Sequence, residues 1–204
     1  ILAINKKHNL AVHGGSRVTI GLIEIVRNFG KDYRDAQLVH RLDKATSGCI
    51  IVAKNKQSTR LYNSFIRSNQ IIKKYHCLIH GSWPEKLDNI RLPLKVKKNE
   101  NLKKTIVSED GKYSATNFKL TKSNESFSLL ECTLETGRTH QIRVHLKYKG
   151  TSLLGDKQYG KKNIKFKKIN DKFFTKLNML SGQALHAKTL EFFHPLTKKW
   201  MSFS

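Results

Sequence analysis

The sequence predicts an α+β fold built on a mixed, mainly antiparallel central sheet flanked by helices and loops. Strand-like runs such as "YSATNFKL" and "FSLLECTLE" alternate apolar and polar residues and are joined through short turn signals such as "SNES", the pattern of antiparallel neighbours. Three segments carry an apolar stripe at helical spacing, enough to flank such a sheet. The chain has 204 residues, of which 38% are hydrophobic; that is ample to bury one core and is incompatible with wholesale disorder.

The elements follow in order. "ILAINKK" reads as a strand already under way, and the absence of an initial Met suggests an excised domain. "SRVTIGLIEIVRNFG" reads as a helix, with Ser16 as N-cap, a stripe through Ile20, Ile23 and Val26, and Gly30 as its stop. Strands are expected at 37–42 and 48–53, with a turn between them. "NKQSTRLYNSFIRSN" is an amphipathic helix with Leu61, Phe65 and Ile66 on one face, and "IIKKYHCLIHGSW" is a strand. Residues 91–112 form a basic insertion poor in apolar residues that ends in the turn "EDGK". After the two alternating strands, "GRTHQIRVHLKYKG" reads as a helix ending at Gly150, with Ile142 and Leu146 facing inward. Residues 155–183 are lysine-rich and loop-like, and "ALHAKTLEFFHP" and "WMSFS" close the chain as strands. No internal repeat or domain boundary is visible, so a single domain over 1–204 is expected.

A net charge of +24 attracts polyanions, either nucleic acid or an anionic membrane surface. No stretch is apolar enough to span a bilayer, these residues hold no signal-peptide pattern, and no basic amphipathic helix carries aromatic anchors. Cys49, Cys77 and Cys132 are odd in number and far apart, each in a strand-like run. Buried free thiols in a reducing cytoplasm are expected of them. His140 and His145 lie five apart without an H-E-x-x-H companion, so no metal is expected.

Two clusters carry chemistry. In "VHRLDKATSG" Asp43 stands between Arg41 and Lys44. With strand periodicity Arg41 and Asp43 share one side while Leu42 anchors in the core. Thr46, Ser47 and Gly48 form a turn able to aim N–H groups at a carboxylate or phosphate. Taken alone, the pattern equally describes an exposed ion pair of little consequence. In "GRTHQIRVH" Arg138, Gln141 and His145 can share a helix face toward RNA. Arg143, beside Ile142 and Val144, enters a semi-buried setting and needs a carboxylate. The chain offers fifteen acids, and Asp43 is the natural candidate.

"HRLDKATSG", "KKYHCLIHG", "GRTHQIRVH" and "LHAKTLEFFHP" together resemble the RluA-type pseudouridine synthases. The likeness runs in order over nearly the whole chain, and "AVHGGSRVTIGLIEIVR" before "LVHRLDKATSG" is most similar to the branch acting on large-subunit ribosomal RNA. It implies the pseudouridine synthase fold and an isomerase that needs no cofactor or metal. It also implies a monomeric, cytoplasmic protein with structured ribosomal RNA as partner. By that resemblance Asp43 is the catalytic aspartate, Tyr75 stacks on the target base, and Arg143 pairs with the aspartate. Arg41 remodels RNA around the flipped nucleotide, Arg138, Gln141 and His145 touch RNA or brace the site, and Leu42, Ile142 and Leu185 line the pocket. Three departures stand out. Asn5, Lys6 and Lys7 replace the usual "NKP", Lys44 and Ala45 replace a commoner Arg-Asp pair, and the N-terminal S4-like RNA-binding domain is expected outside this chain.

A lone carboxylate fits this chemistry. A glycoside hydrolase needs two, one of them to activate water or attack. Here the base leaves as a delocalised anion, stays in the pocket and is rejoined through C5. Asp43 could attack C1′ or C6, or remove the 2′ proton, and the sequence does not choose among these. A passive ribosomal RNA-binding or assembly protein would share the basic surface without a use for this acid. A tRNA-directed synthase of the same family would share both.

Overall fold

The computed structural model describes residues 1–15, 19–84, 86–99, 102–160, 175–176, 179–180 and 182–204. These fall into two compact units, Ile1–Lys73 with His186–Ser204, and Lys74–Leu185. Because the first unit is assembled from both ends of the numbered chain, no single shift in composition marks it.

In the first unit β1 (Leu2–Lys6) pairs antiparallel with β3 (Ser47–Ala53), from Leu2 opposite Val52 to Lys6 opposite Gly48. The other edge of β3 is shared. β10 (Leu185–Phe193) runs parallel to it at His186 and Ala187, and β2 (Gln37–Leu38) pairs antiparallel at Val52 and Ala53. β11 (Trp200–Phe203) extends β10. The run "CIIVA" of β3 is buried throughout because it is covered on both faces. α2 (Lys56–Arg67) is capped by Asn55, whose side chain accepts the Ser58 N–H at 2.9 Å. It lays Tyr62, Phe65 and Ile66 on a core of Val39, Cys49, Ile51, Ala53, Ile71, Leu190 and Phe192. Each buried Ile or Leu there contributes roughly 1.5–3 kcal/mol.

α1 differs from expectation. It spans only Leu22–Arg27, with Gly21 as N-cap, and Ser16, the expected cap, lies outside the described residues. Ile20 precedes the helix and is 59% exposed rather than part of its stripe. The chain itself sets this start: Leu22 and Ile23 donate their N–H groups to Ala11 and Val12 carbonyls. A side chain on Gly21 would come within 2.5 Å of the His13 backbone.

The second unit holds β4 (Ile72–His80), β9 (Phe127–Leu134), β8 (Ala115–Ser123) and β5 (Asn89–Arg91), adjacent in that order. The segment expected as a plain insertion instead forms a separate ribbon, β6 (Leu94–Asn99) against β7 (Leu102–Val107). Its few apolar residues suffice because Leu94 and Val107 pack on Val144 and Tyr159. α3 covers Gln141–Tyr148, shorter than expected. Its start is set by His140 in the left-handed conformation at φ 54°. All three cysteines are free and buried. Cys77 and Cys132 meet Sγ to Sγ at 3.4 Å, and burial with this neighbour raises the Cys132 thiol well above its ordinary value. Most of 155–183, expected as loop, lies outside the described residues.

Candidate active site

In the first unit the "HRLD" segment is not a strand. β2 stops at Leu38, and the chain continues as irregular backbone. The predicted alternation survives in burial: Leu42 is buried, Arg41 exposed, Asp43 half-buried. His40 takes over the pairing the strand gives up, its Nε2 accepting the Ile51 N–H at 2.9 Å. Burial, with Lys73 nearby, lowers its pKa to about 3, so the ring stays neutral and able to accept.

The turn after Asp43 closes through the Thr46 N–H on the Asp43 carbonyl at 3.0 Å. Ser47 Oγ meets His186 Nδ1 at 2.9 Å, and Gly48, at φ 110°, lies so close to Ala187 that a Cβ would sit 2.2 Å from its carbonyl oxygen. Only glycine fits there. The turn is thus locked onto β10 through the main chain.

Lys6, treated in the sequence only as part of a departure from "NKP", proves central to this turn. It is 1% exposed, and its ammonium donates to the carbonyls of Lys7, Leu10 and Lys44 at 3.0, 2.8 and 3.1 Å. All three of its protons are therefore used. Burial lowers its pKa to about 8, against the opposing pull of Asp43. A basic residue followed by an expected turn was the available signal, but lysine is so frequent here that it did not stand out.

In the second unit Tyr75 is buried on β4, and Ile142 and Leu185 are buried as expected of lining residues. Within its own unit Arg143 has a carboxylate partner that the motifs did not point to, Asp156. Its Nε and one Nη reach the two oxygens of Asp156 at 2.7 and 2.8 Å. Asp156 falls in the lysine-rich stretch expected to be loop. Burial would raise the Asp156 pKa, but the guanidinium and the Gln158 and Tyr159 N–H groups outweigh it and hold the carboxyl below its usual range. The Tyr159 ring lies 4.9 Å from the guanidinium carbon.

Gln141, expected to touch RNA or brace the site, and His145, expected to contact RNA, are 3% and 0% exposed, so bracing is the part their burial allows. The Gln141 amide is fully used: Oε1 accepts from Thr136 and the Arg138 N–H, and Nε2 donates to the Ala115 carbonyl and Thr116. Ser114 donates to the Leu92 carbonyl, so His145 Nε2 donates to Ser114 while Nδ1 accepts from Thr116. That wiring needs a neutral ring, and burial lowers its pKa to about 4. Both side chains thus pin α3 to β8, their polarity satisfied inside the protein rather than by a ligand. Arg138 precedes the helix and remains exposed, its Nε donating to the Tyr113 carbonyl.

Residues 1–148 match the family model described as RNA pseudouridylate synthase, a span containing both motif segments. The chain belongs to this family. It is 40% identical to the ribosomal large subunit pseudouridine synthase C of Buchnera aphidicola subsp. Schizaphis graminum, over 98% of this chain and 62% of that one. To the protein of the same name in Escherichia coli K12 it is 37% identical, again over 98% and 62%. The chain therefore spans less than two thirds of these relatives' length. Its fold is that of human RNA pseudouridylate synthase domain containing 4, with a TM-score of 0.74 at 23% identity over 98% of this chain and 82% of that one. The family and the α+β fold expected from the motifs are both found. Among the described residues no helix is long and apolar enough to cross a membrane, and no group of three His, Cys, Asp or Glu could hold a metal.

Proposed function

We propose that this protein isomerises specific uridines of large-subunit (23S) ribosomal RNA to pseudouridine, and that residues 1–204 are its catalytic domain. The reading rests on the family match over 1–148, which includes Asp43, together with relatives of about 40% identity that carry this activity in their names.

In this reading Asp43 is the carboxylate that starts the cleavage of the N1–C1′ bond. Arg143 supplies the positive charge that favours the ionised aspartate. The target uridine is flipped out at a cost of a few kcal/mol, and stacking on Tyr75 returns roughly 1–3 kcal/mol. Arg41 and Arg138, both exposed, contact the RNA, and surface lysines supply attraction without sequence information. The protein acts in the cytoplasm as a monomer and needs no cofactor.

Pseudouridine mapping of ribosomal and transfer RNA from cells with and without the gene tests this. Loss of defined large-subunit sites, restored by the wild-type gene and not by Asp43→Asn, is the expected result. Sites lost only in tRNA would redirect the substrate, and restoration by Asp43→Asn would make the protein a passive RNA binder.

A further inference from the structure

The β6–β7 ribbon carries an inference that rests on the reading above and extends it. Its register places Lys97 opposite Lys104 and Lys98 opposite Lys103. Like charges directly opposite each other destabilise a strand pair, and a two-stranded ribbon has little stability in reserve. Lys95 has an ion-pair partner in Asp110. Among the described residues no carboxylate reaches the four opposed lysines, and Lys97, Lys98 and Lys103 are exposed. So dense an array of positive charge, kept at a cost to its own element, matches the phosphates of an RNA backbone.

The β7 side of the ribbon is seated on the turn that holds Arg143. Along the free edge of β7 the Thr105 N–H donates to Tyr159 Oη at 2.9 Å, and Gln158 Nε2 donates to the Lys103 carbonyl at 3.0 Å. In the same turn Asp156 clamps Arg143 and accepts the Gln158 and Tyr159 N–H groups on Oδ1. The Tyr159 hydroxyl also meets His140 Nδ1 at 2.9 Å, one residue before α3. Gly160 lets the turn close, since a Cβ there would sit 2.1 Å from the Asp156 carbonyl oxygen. The lysines and the guanidinium are therefore joined by one short, fully bonded piece of chain.

We propose that the β6–β7 ribbon binds RNA phosphates and that its seat on residues 156–160 transmits this engagement to Arg143, with Tyr159 as the positioning residue. The test uses the full-length protein and a large-subunit RNA transcript. It compares wild type, the quadruple K97Q/K98Q/K103Q/K104Q variant, Tyr159→Phe, and the two combined. The quadruple variant should bind more weakly and lose roughly 3 from the slope of log affinity against log salt, at about 0.7–0.9 per phosphate contact. Tyr159→Phe keeps the ring beneath Arg143 but loses the bonds to Thr105 and His140. It should bind RNA normally and lower the single-turnover rate at saturating RNA about tenfold. The quadruple variant should lower that rate similarly, and the combination should fall no further. Unchanged affinity and salt slope in the quadruple variant would overturn the phosphate site. Rate losses that multiply in the combination would overturn the coupling. Affinity needs no turnover, so a wild type that makes no pseudouridine would fail the functional reading separately from a failed ribbon.

Discussion

The turn that carries Asp43 and the helix that carries Arg143 are fixed by different parts of the chain. Around Asp43 the holding contacts are to main chain: the Lys6 ammonium on three carbonyls, the Thr46 N–H on Asp43 itself, Gly48 against Ala187. Around Arg143 they are side chain to side chain, through Asp156, Tyr159, Gln141, His145, Ser114 and Thr116. Main-chain fixation tolerates an isosteric exchange at the position it holds, so Asp43→Asn reports on chemistry with the turn's own contacts in place. Side-chain fixation does not, so a substitution at Arg143 reports on chemistry and packing together.

Asp43→Asn is the sharpest probe of that difference. Single-turnover pseudouridine formation should fall by roughly 10⁴-fold or more, as loss of a reacting group does, with melting temperature and RNA affinity unchanged. Retention of even a tenth of the rate would remove Asp43 from the reaction. Arg143→Met should abolish activity and also destabilise by about 3–5 kcal/mol, because it strands the buried Asp156 carboxylate. Adding Asp156→Asn, which removes the stranded charge and keeps an oxygen for the Gln158 and Tyr159 N–H groups, should restore most of the stability, read by urea unfolding, and none of the turnover. Recovered turnover in the double variant would mean that the guanidinium serves the fold alone.

Acid should act on both regions. His40 and His145 are neutral in the fold, with pKa values lowered to about 3 and about 4 by burial. The unfolded chain takes up their protons near pH 6.5, so their contribution is complete above that pH and is lost as pH falls toward the folded values. Between pH 6.5 and 5 this amounts to about 2 kcal/mol for each histidine. Urea midpoints that do not move over this range would contradict the neutral, hydrogen-bonded rings. A smaller effect is expected from Lys6→Met, which leaves buried carbonyls without a donor at about 1–3 kcal/mol. It should also slow turnover, since the Lys44 carbonyl is part of the turn that carries Asp43. Full stability and full turnover in that variant would mean solvent replaces the ammonium.

What the sequence disclosed follows the same division. α2, β4, β8 and β9 were legible because each buries one face and repeats its apolar residues at the matching period, and β3 because it is a short continuous apolar run. Asp43 and Arg143 were singled out through motifs, and the family model covers both. Asp156 was not, because an isolated acid in a lysine-rich stretch looks like surface charge. Its meaning depends on a contact across 13 residues of chain. Gln141 and His145 were legible only in part: helical spacing puts them on one face, and only the position of Ser114 and Thr116 turns that face inward to brace rather than bind. The ribbon was missed because its lysines mask the alternation that Leu94, Val96 and Thr105 supply.

The division of the chain has a consequence in time. The second unit is one continuous stretch, whereas the first closes only when β10 pairs with β3, bringing Ser47 to His186 across 139 residues. Contacts that distant form slowly, because a long loop must be ordered before they are made. On the ribosome they must also wait for synthesis to pass residue 187. The loop bearing Asp43 is therefore among the last parts of this chain to mature, and a nascent protein has its Arg143 network assembled while its acid is still on unfinished backbone.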